Sequence, residues 1–139
     1  AKEISVKTAW ELGIKEPLLI AVTILTSLGD EEVAKIGYVK SSKDMVEHLG
    51  KLTKEAGLDG VVCSPLEAGI IKKACGEGFI TVTPGVRPLG EDAGDQKRIT
   101  TPKKAIKGGS TYIVVGRSIT KAKNVKEAAR NIVTEMENI

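Results

Sequence analysis

The chain has 139 residues, 41% hydrophobic and 28% charged, with a formal net charge of +3. That length gives one domain, residues 1–139, able to bury its own core, and the balance excludes a disordered or fibrous chain. Aromatics are only 3%, and no basic run is interleaved with them, which excludes a nucleic-acid binder that works by stacking bases.

In chain order, Ile4–Leu12 reads as the end of a helix closed by Gly13. Leu18–Thr26 (LLIAVTILT) is nearly continuous in apolar and β-branched residues, as expected of a strand buried on both faces of a parallel sheet. Its apolar core, Leu18–Leu25, falls far short of the roughly 20 residues that span a bilayer, so no membrane partner is expected. Ser27-Leu28-Gly29-Asp30 makes a turn, with Asp30 the expected N-cap of a short helix through Ile36.

Met45, Val46, Leu49, Leu52 and Ala56 recur at helical spacing within Lys43–Ala56, and Gly57 stops that helix. A short strand, Val61–Ser64, comes next. Ser64, Pro65 and Glu67 then have the pattern of N-cap, N1 and N3 in a capping box, for a helix ending at Gly76. Phe79–Thr83 is a strand that turns at Pro84-Gly85 into a polar loop. Thr101-Pro102 opens another short helix, ending near Gly108-Gly109, and Tyr112–Val115 is a last strand that ends in Gly116-Arg117-Ser118. A helix from about Asn124 carries Val125, Ala128, Ala129, Ile132, Val133 and Met136 on one face.

Strand and helix thus alternate four times, which predicts parallel βα units joined by right-handed crossovers, with function at the carboxyl ends of the strands. Closing a (β/α)8 barrel takes eight such units. The fold expected is α/β, half of a TIM barrel, with unpaired edges that favour pairing with another chain or a second copy.

Several rim residues have the chemistry to bind an anion. Glycine lets backbone N–H groups approach closely, and arginine offers a fixed fork of donors, so Gly116 and Arg117 after the last strand suit a phosphate. Pro84, Gly85 and Arg87 follow the preceding strand, where Arg87 reads as a ligand contact or a solvated charge. Thr26 reads equally as a ligand hydroxyl or a helix cap, and Ser27 as a cap. Pro88–Asp95, with two glycines and three acids, has the composition of a lid, and Gln96 lies just past it. His48 has no second ligand at useful spacing, so no metal is expected. Gly76-x-Gly78 is too short for a dinucleotide fingerprint. Cys63 and Cys75 have no CxxC spacing and fit a reduced, cytoplasmic compartment, and AKEISVKTAW lacks the apolar core of a signal peptide.

Taken together, LLIAVTILTSLGDEE, AGLDGVVCSPLEA, FITVTPGVRP, GDQKRITTP and YIVVGRSIT closely resemble the orotidine 5′-phosphate decarboxylases, particularly the bacterial type. The resemblance covers nearly the whole chain. It implies an eight-stranded barrel, conversion of orotidine 5′-monophosphate to UMP and carbon dioxide without cofactor or metal, and dimers. It assigns Thr26 to the pyrimidine edge, Arg87 to binding near the lid, Gln96 to a bridge between base and phosphate, and Gly116 and Arg117 to the phosphate. The family's catalytic Asp-x-Lys-x-x-Asp is absent from these residues: Asp95-Gln96-Lys97 imitates its start, but Thr100 stands in the place of the second aspartate. The resemblance therefore implies the C-terminal half, strands five to eight, with no catalytic residue in this chain and a homo-oligomer or an N-terminal half-barrel as partner. Two rival readings are a non-catalytic half-barrel that binds phosphorylated nucleosides or assembles with itself, and a related sugar-phosphate decarboxylase or aldolase. The Gln96 motif speaks against the latter.

Overall fold

A computed structural model of the chain describes residues 1–88 and 100–137. The elements are α1 (Lys2–Leu12), β1 (Ile20–Val22), α2 (Asp30–Lys35), α3 (Ser42–Glu55), β2 (Gly60–Val62), α4 (Ala68–Cys75), β3 (Ile80–Thr83), α5 (Pro102–Lys107), β4 (Tyr112–Ile113), α6 (Arg117–Thr120) and α7 (Val125–Glu137). The four strands form one sheet in the order β1-β2-β3-β4, every pair parallel. Consecutive order matters: right-handed crossovers that always step the same way place every helix on one face of the sheet, as in a barrel wall.

The register shows how that wall is built. Ala21, Val61 and Thr81 share one level, with Val22, Val62, Val82 and Tyr112 on the next. Successive levels point to opposite faces. Val61 and Thr81 are fully buried, and Val61 joins Val46, Ile71, Cys63 and Phe79 in the core beneath α3 and α4. Burying side chains of this size contributes about 1.5–3 kcal/mol each before entropy is charged against it. On the other face, Val22 is 59% exposed and Tyr112 54%. The expectation that Leu18–Thr26 is buried on both faces is thus corrected. β1 is an edge strand here, and Leu18, Ile20, Val22 and Leu25 are exposed while Ile24 is buried.

The helix caps follow the sequence in places and depart from it in others. Gly13 closes α1 in the left-handed region, and Thr101 Oγ1 accepts the Lys104 N–H at 3.4 Å with Pro102 opening α5. Asn124 Oδ1 accepts the Glu127 N–H at 3.1 Å at the start of α7. The cap of α2 is Gly29, whose N–H donates to Glu32 Oε2 at 2.9 Å; Asp30 instead accepts the Ser42 N–H and ties α2 to α3. Ser64 and Glu67 do form a local box, with the Ser64 N–H donating to Glu67 Oε2 at 3.1 Å. However, Ser64 Oγ accepts from Leu66, and α4 starts only at Ala68, one turn later than expected. The short α6 was not foreseen. On α7 only Ile132 is buried, whereas Val125 and Val133 of the expected apolar face are exposed.

Neither Cys63 nor Cys75 is in a disulfide; both are buried, and burial pushes the Cys75 thiol above its ordinary range. No helix among the described residues is long and apolar enough to cross a membrane.

Candidate functional site: the carboxyl rim of the sheet

Parallel pairing delivers the ends of all four strands to one rim. At β3 and β4 the match in height is close. Thr83 pairs with Ile113, and the Val114 N–H donates to Thr83 O at 2.9 Å, so the two strands are still bonded where they end. Pro84–Arg87 and Gly116-Arg117 therefore leave neighbouring strands at the same level and on the same rim. Donors on these two loops can therefore face a common anion.

The first of those loops is held by its backbone. Gly85 has φ 78, a left-handed conformation in which any side chain would be strained. Beyond it the Arg87 N–H donates to Thr100 O at 3.0 Å and the Thr100 N–H to Gly85 O at 3.3 Å, so Val86 and Thr100 form a parallel bridge. The chain thus leaves and returns through one bonded neck. Arg87, only 9% exposed, is fixed there by a hydrogen bond from its guanidinium to Val86 O at 2.9 Å. A guanidinium with five N–H groups keeps most of its donors after one such bond. This setting favours a positioned cation over the solvated-charge reading of Arg87.

In the second loop Gly116 is the N-cap of α6 and accepts the Ile119 and Thr120 N–H groups. Arg117 is the first residue of that helix and is exposed. Thr26 lies in the turn after β1 and is buried. Because Gly29 caps α2, neither Thr26 nor Ser27 serves as the N-cap, which removes the cap reading for both. Gln96 and nearly all of the lid expected at Pro88–Asp95 lie outside the described residues. Thr26, Arg87, Gly116 and Arg117 thus stand on one rim, at the ends of β1, β3 and β4.

Sequence reasoning missed two features of this rim. Ser64 and Glu67, assigned only to a helix start, are both buried just past β2, between the ends of β1 and β3. Glycine followed by Arg-Ser-Ile-Thr begins α6, but four residues are too few to show helical periodicity. His48, judged unsuitable as a ligand, is exposed on α3, away from the rim.

A parallel sheet in consecutive order, helices on one face and basic, glycine-rich loops at the carboxyl ends define a protein of the βα-barrel class. Within that class the chain belongs to the Orotidine 5′-phosphate decarboxylase / HUMPS family, whose model matches residues 2–132. It is 59% identical over 112 residues to the orotidine 5′-phosphate decarboxylase of Pseudoalteromonas translucida, an alignment covering 81% of this chain and 48% of that protein. With the Bacillus cereus (strain Q1) enzyme of the same name it shares 51% identity over 128 residues, 91% of this chain and 54% of the other. Among solved structures, that of orotidine 5′-phosphate decarboxylase from Lactobacillus acidophilus superimposes with a TM-score of 0.73 at 39% identity, over 89% of this chain and 51% of that one. The chain spans about half the length of the curated relatives it matches.

Proposed function

We propose that this chain is the phosphate- and pyrimidine-gripping half, strands five to eight of the barrel, of an orotidine 5′-phosphate decarboxylase, the enzyme that converts orotidine 5′-monophosphate to UMP and carbon dioxide. The reading rests above all on the shared height of the Pro84–Arg87 and Gly116-Arg117 loops, set by the bond from Val114 to Thr83 O. In the proposal Arg117 and the Gly116 backbone hold the phosphoryl group, Arg87 adds a second cation from its bonded neck, and Thr26 meets the pyrimidine edge. Gln96 bridges base and phosphate by the family resemblance alone.

Chemistry requires more than this grip. In the family resemblance a protonated lysine, oriented by flanking aspartates, delivers the proton to C6 as the carboxylate leaves. No Asp-x-Lys-x-x-Asp occurs in these 139 residues, so the proton donor belongs to the other half. Phosphate contacts made far from C6 can then be used to organise the reacting centre rather than only to bind.

The assay has two arms. UMP should bind the 139-residue chain and lose roughly 10- to 100-fold in affinity on Arg117→Ala, the range for removing a charge-assisted hydrogen bond. The chain alone should show no decarboxylation, and a separately made N-terminal half should restore it. Turnover by the chain alone would overturn the division of labour; UMP binding indifferent to Arg117→Ala would overturn the phosphate site.

A further inference from the structure

β4 is only two residues long, so its ladder with β3 has few backbone bonds with which to fix the height of one strand against the other. Side chains supply the rest. The two threonines that β3 buries, Thr81 and Thr83, both bond across to β4 or to the turn before it. Toward the amino end, Thr81 Oγ1 donates to Gly109 O at 2.8 Å and accepts the Thr111 N–H at 2.9 Å. Thr83 is the last residue of β3, and its one hydroxyl proton has two acceptors, Ser110 Oγ at 2.9 Å and Tyr112 O at 3.3 Å. Beyond it the chain enters Pro84, which has no N–H to continue the ladder. The Pro84–Arg87 loop therefore takes its height from Thr83.

The far end of that loop is fastened to the same body. Arg87 and Gly85 are bonded to Thr100, one residue ahead of Thr101, the cap of α5. The Ala105 N–H donates to Thr101 O at 2.9 Å, and the Ser110 N–H to Ala105 O at 3.1 Å. Thr83, Ser110, α5, Thr100 and the loop thus make a closed ring of bonds, and Ser110 leads on into β4 and Gly116-Arg117. The bond that closes the ring, from Thr83 to Ser110, is buried, where water does not compete for it. We propose that Thr83 is a positioning residue of the anion site: its hydroxyl, through Ser110, sets the height at which Arg87 and Arg117 face one ligand. This role rests on the phosphate-gripping function proposed for those two arginines. Thr83 itself is fully buried on the helix face and does not touch the ligand.

Titration with UMP in the absence of urea, set beside the urea midpoint of each variant, separates positioning from support. Thr83→Val keeps the shape and loses the hydroxyl. Its UMP affinity should fall about 3- to 10-fold, bounded by what one neutral hydrogen bond contributes. Thr83→Ser keeps the hydroxyl and loses a buried methyl, so the urea midpoint should fall while the affinity stays that of the parent chain. Thr81→Val, the same change two residues earlier on the same face, should lower the midpoint and leave the affinity alone. Should Thr83→Val not fold, Ser110→Ala removes the nearer acceptor and should weaken UMP binding in the same direction, by less, since Tyr112 O remains. Parental affinity in whichever of these two variants folds, or an equal loss of affinity in Thr81→Val or Thr83→Ser, would overturn the positioning role. If Arg117→Ala still weakens UMP binding, that result leaves the phosphate site standing; indifference to Arg117→Ala removes the site and the role of Thr83 with it.

Discussion

The two rims of the sheet are built differently. At the amino rim the polar groups bind one another. Lys72 Nζ donates to Glu77 O, Phe79 O and Thr111 Oγ1 at 2.8, 2.8 and 3.0 Å, and Thr81 Oγ1 donates to Gly109 O at 2.8 Å. Asp59 accepts from Lys2 Nζ and from the Leu19 N–H, joining α1, β1 and β2. At the carboxyl rim the cations stand on loops: Arg87 spends one hydrogen bond on its own neck, and Arg117 is exposed on a four-residue helix. One rim uses its polar groups to hold strands, and in the proposed function the other presents its cations to a ligand. Substitutions should therefore separate, with stability lost at the first rim and affinity at the second.

The largest effect is expected at the amino rim. A Cβ added at Gly60 would sit 2.2 Å from Ile80 O and 2.6 Å from Ile80 Cβ. The obstruction is the backbone of the paired strand β3, which cannot swing aside as a flexible side chain would. Gly60→Ala should cost about 3 kcal/mol or more, at or above the upper end for overpacking, read as a lower urea midpoint. An unchanged midpoint would show that β2 and β3 are less closely joined than their register requires.

At the other rim, Arg87→Ala should reverse that pattern. The neck keeps its backbone bonds between Arg87, Thr100 and Gly85, so stability should fall by less than about 1 kcal/mol, while UMP affinity drops roughly 10-fold or more. Equal losses in both would mean that Arg87 is a structural cation. Lys72→Met comes next in size. It removes the donor from three acceptors, two of them exposed, and should cost about 1 kcal/mol, with UMP affinity unchanged; a change in affinity would break the division between rims.

Much of this arrangement was legible in the sequence because it is written in periodicity. The α3 stripe from Met45 and the alternation of β-rich runs with helices gave the element order, and Gly85 and Gly116 at strand ends pointed to the rim. What pairing decides was not legible. Leu18–Thr26 has the composition of a strand buried on both faces, yet only Ile20–Val22 is bonded as strand and the side away from the helices is bare, because composition cannot tell which neighbours are present. Capping was misread where two polar residues competed: Ser64 and Glu67 bond each other a turn ahead of α4, and Glu32 reaches Gly29 so that Asp30 is left to hold Ser42. Thr26 was left open between ligand and cap until the position of Gly29 closed the second option.

The smallest expected effect tests the amino rim by pH. The Lys2 ammonium and the Leu19 N–H hold the Asp59 carboxyl below its ordinary 3.8, and Asp59 with Glu16 raises Lys2 above its ordinary 10.5. A depressed carboxyl contributes stability that is complete above its unfolded value and is lost as pH falls through the folded one. A raised ammonium contributes below its unfolded value and loses that contribution as pH climbs through the folded one. Asp59→Asn should therefore cost a constant amount across the neutral range, and the gap to the parent chain should narrow on the acid side below about pH 4 and on the alkaline side above about pH 10.5. Because these groups are partly exposed, molar salt should shrink the gap as well. A gap that persists unchanged at pH 2 would mean that the charge of Lys2 has no share in joining α1 to the sheet, since protonation removes the carboxylate it pairs with.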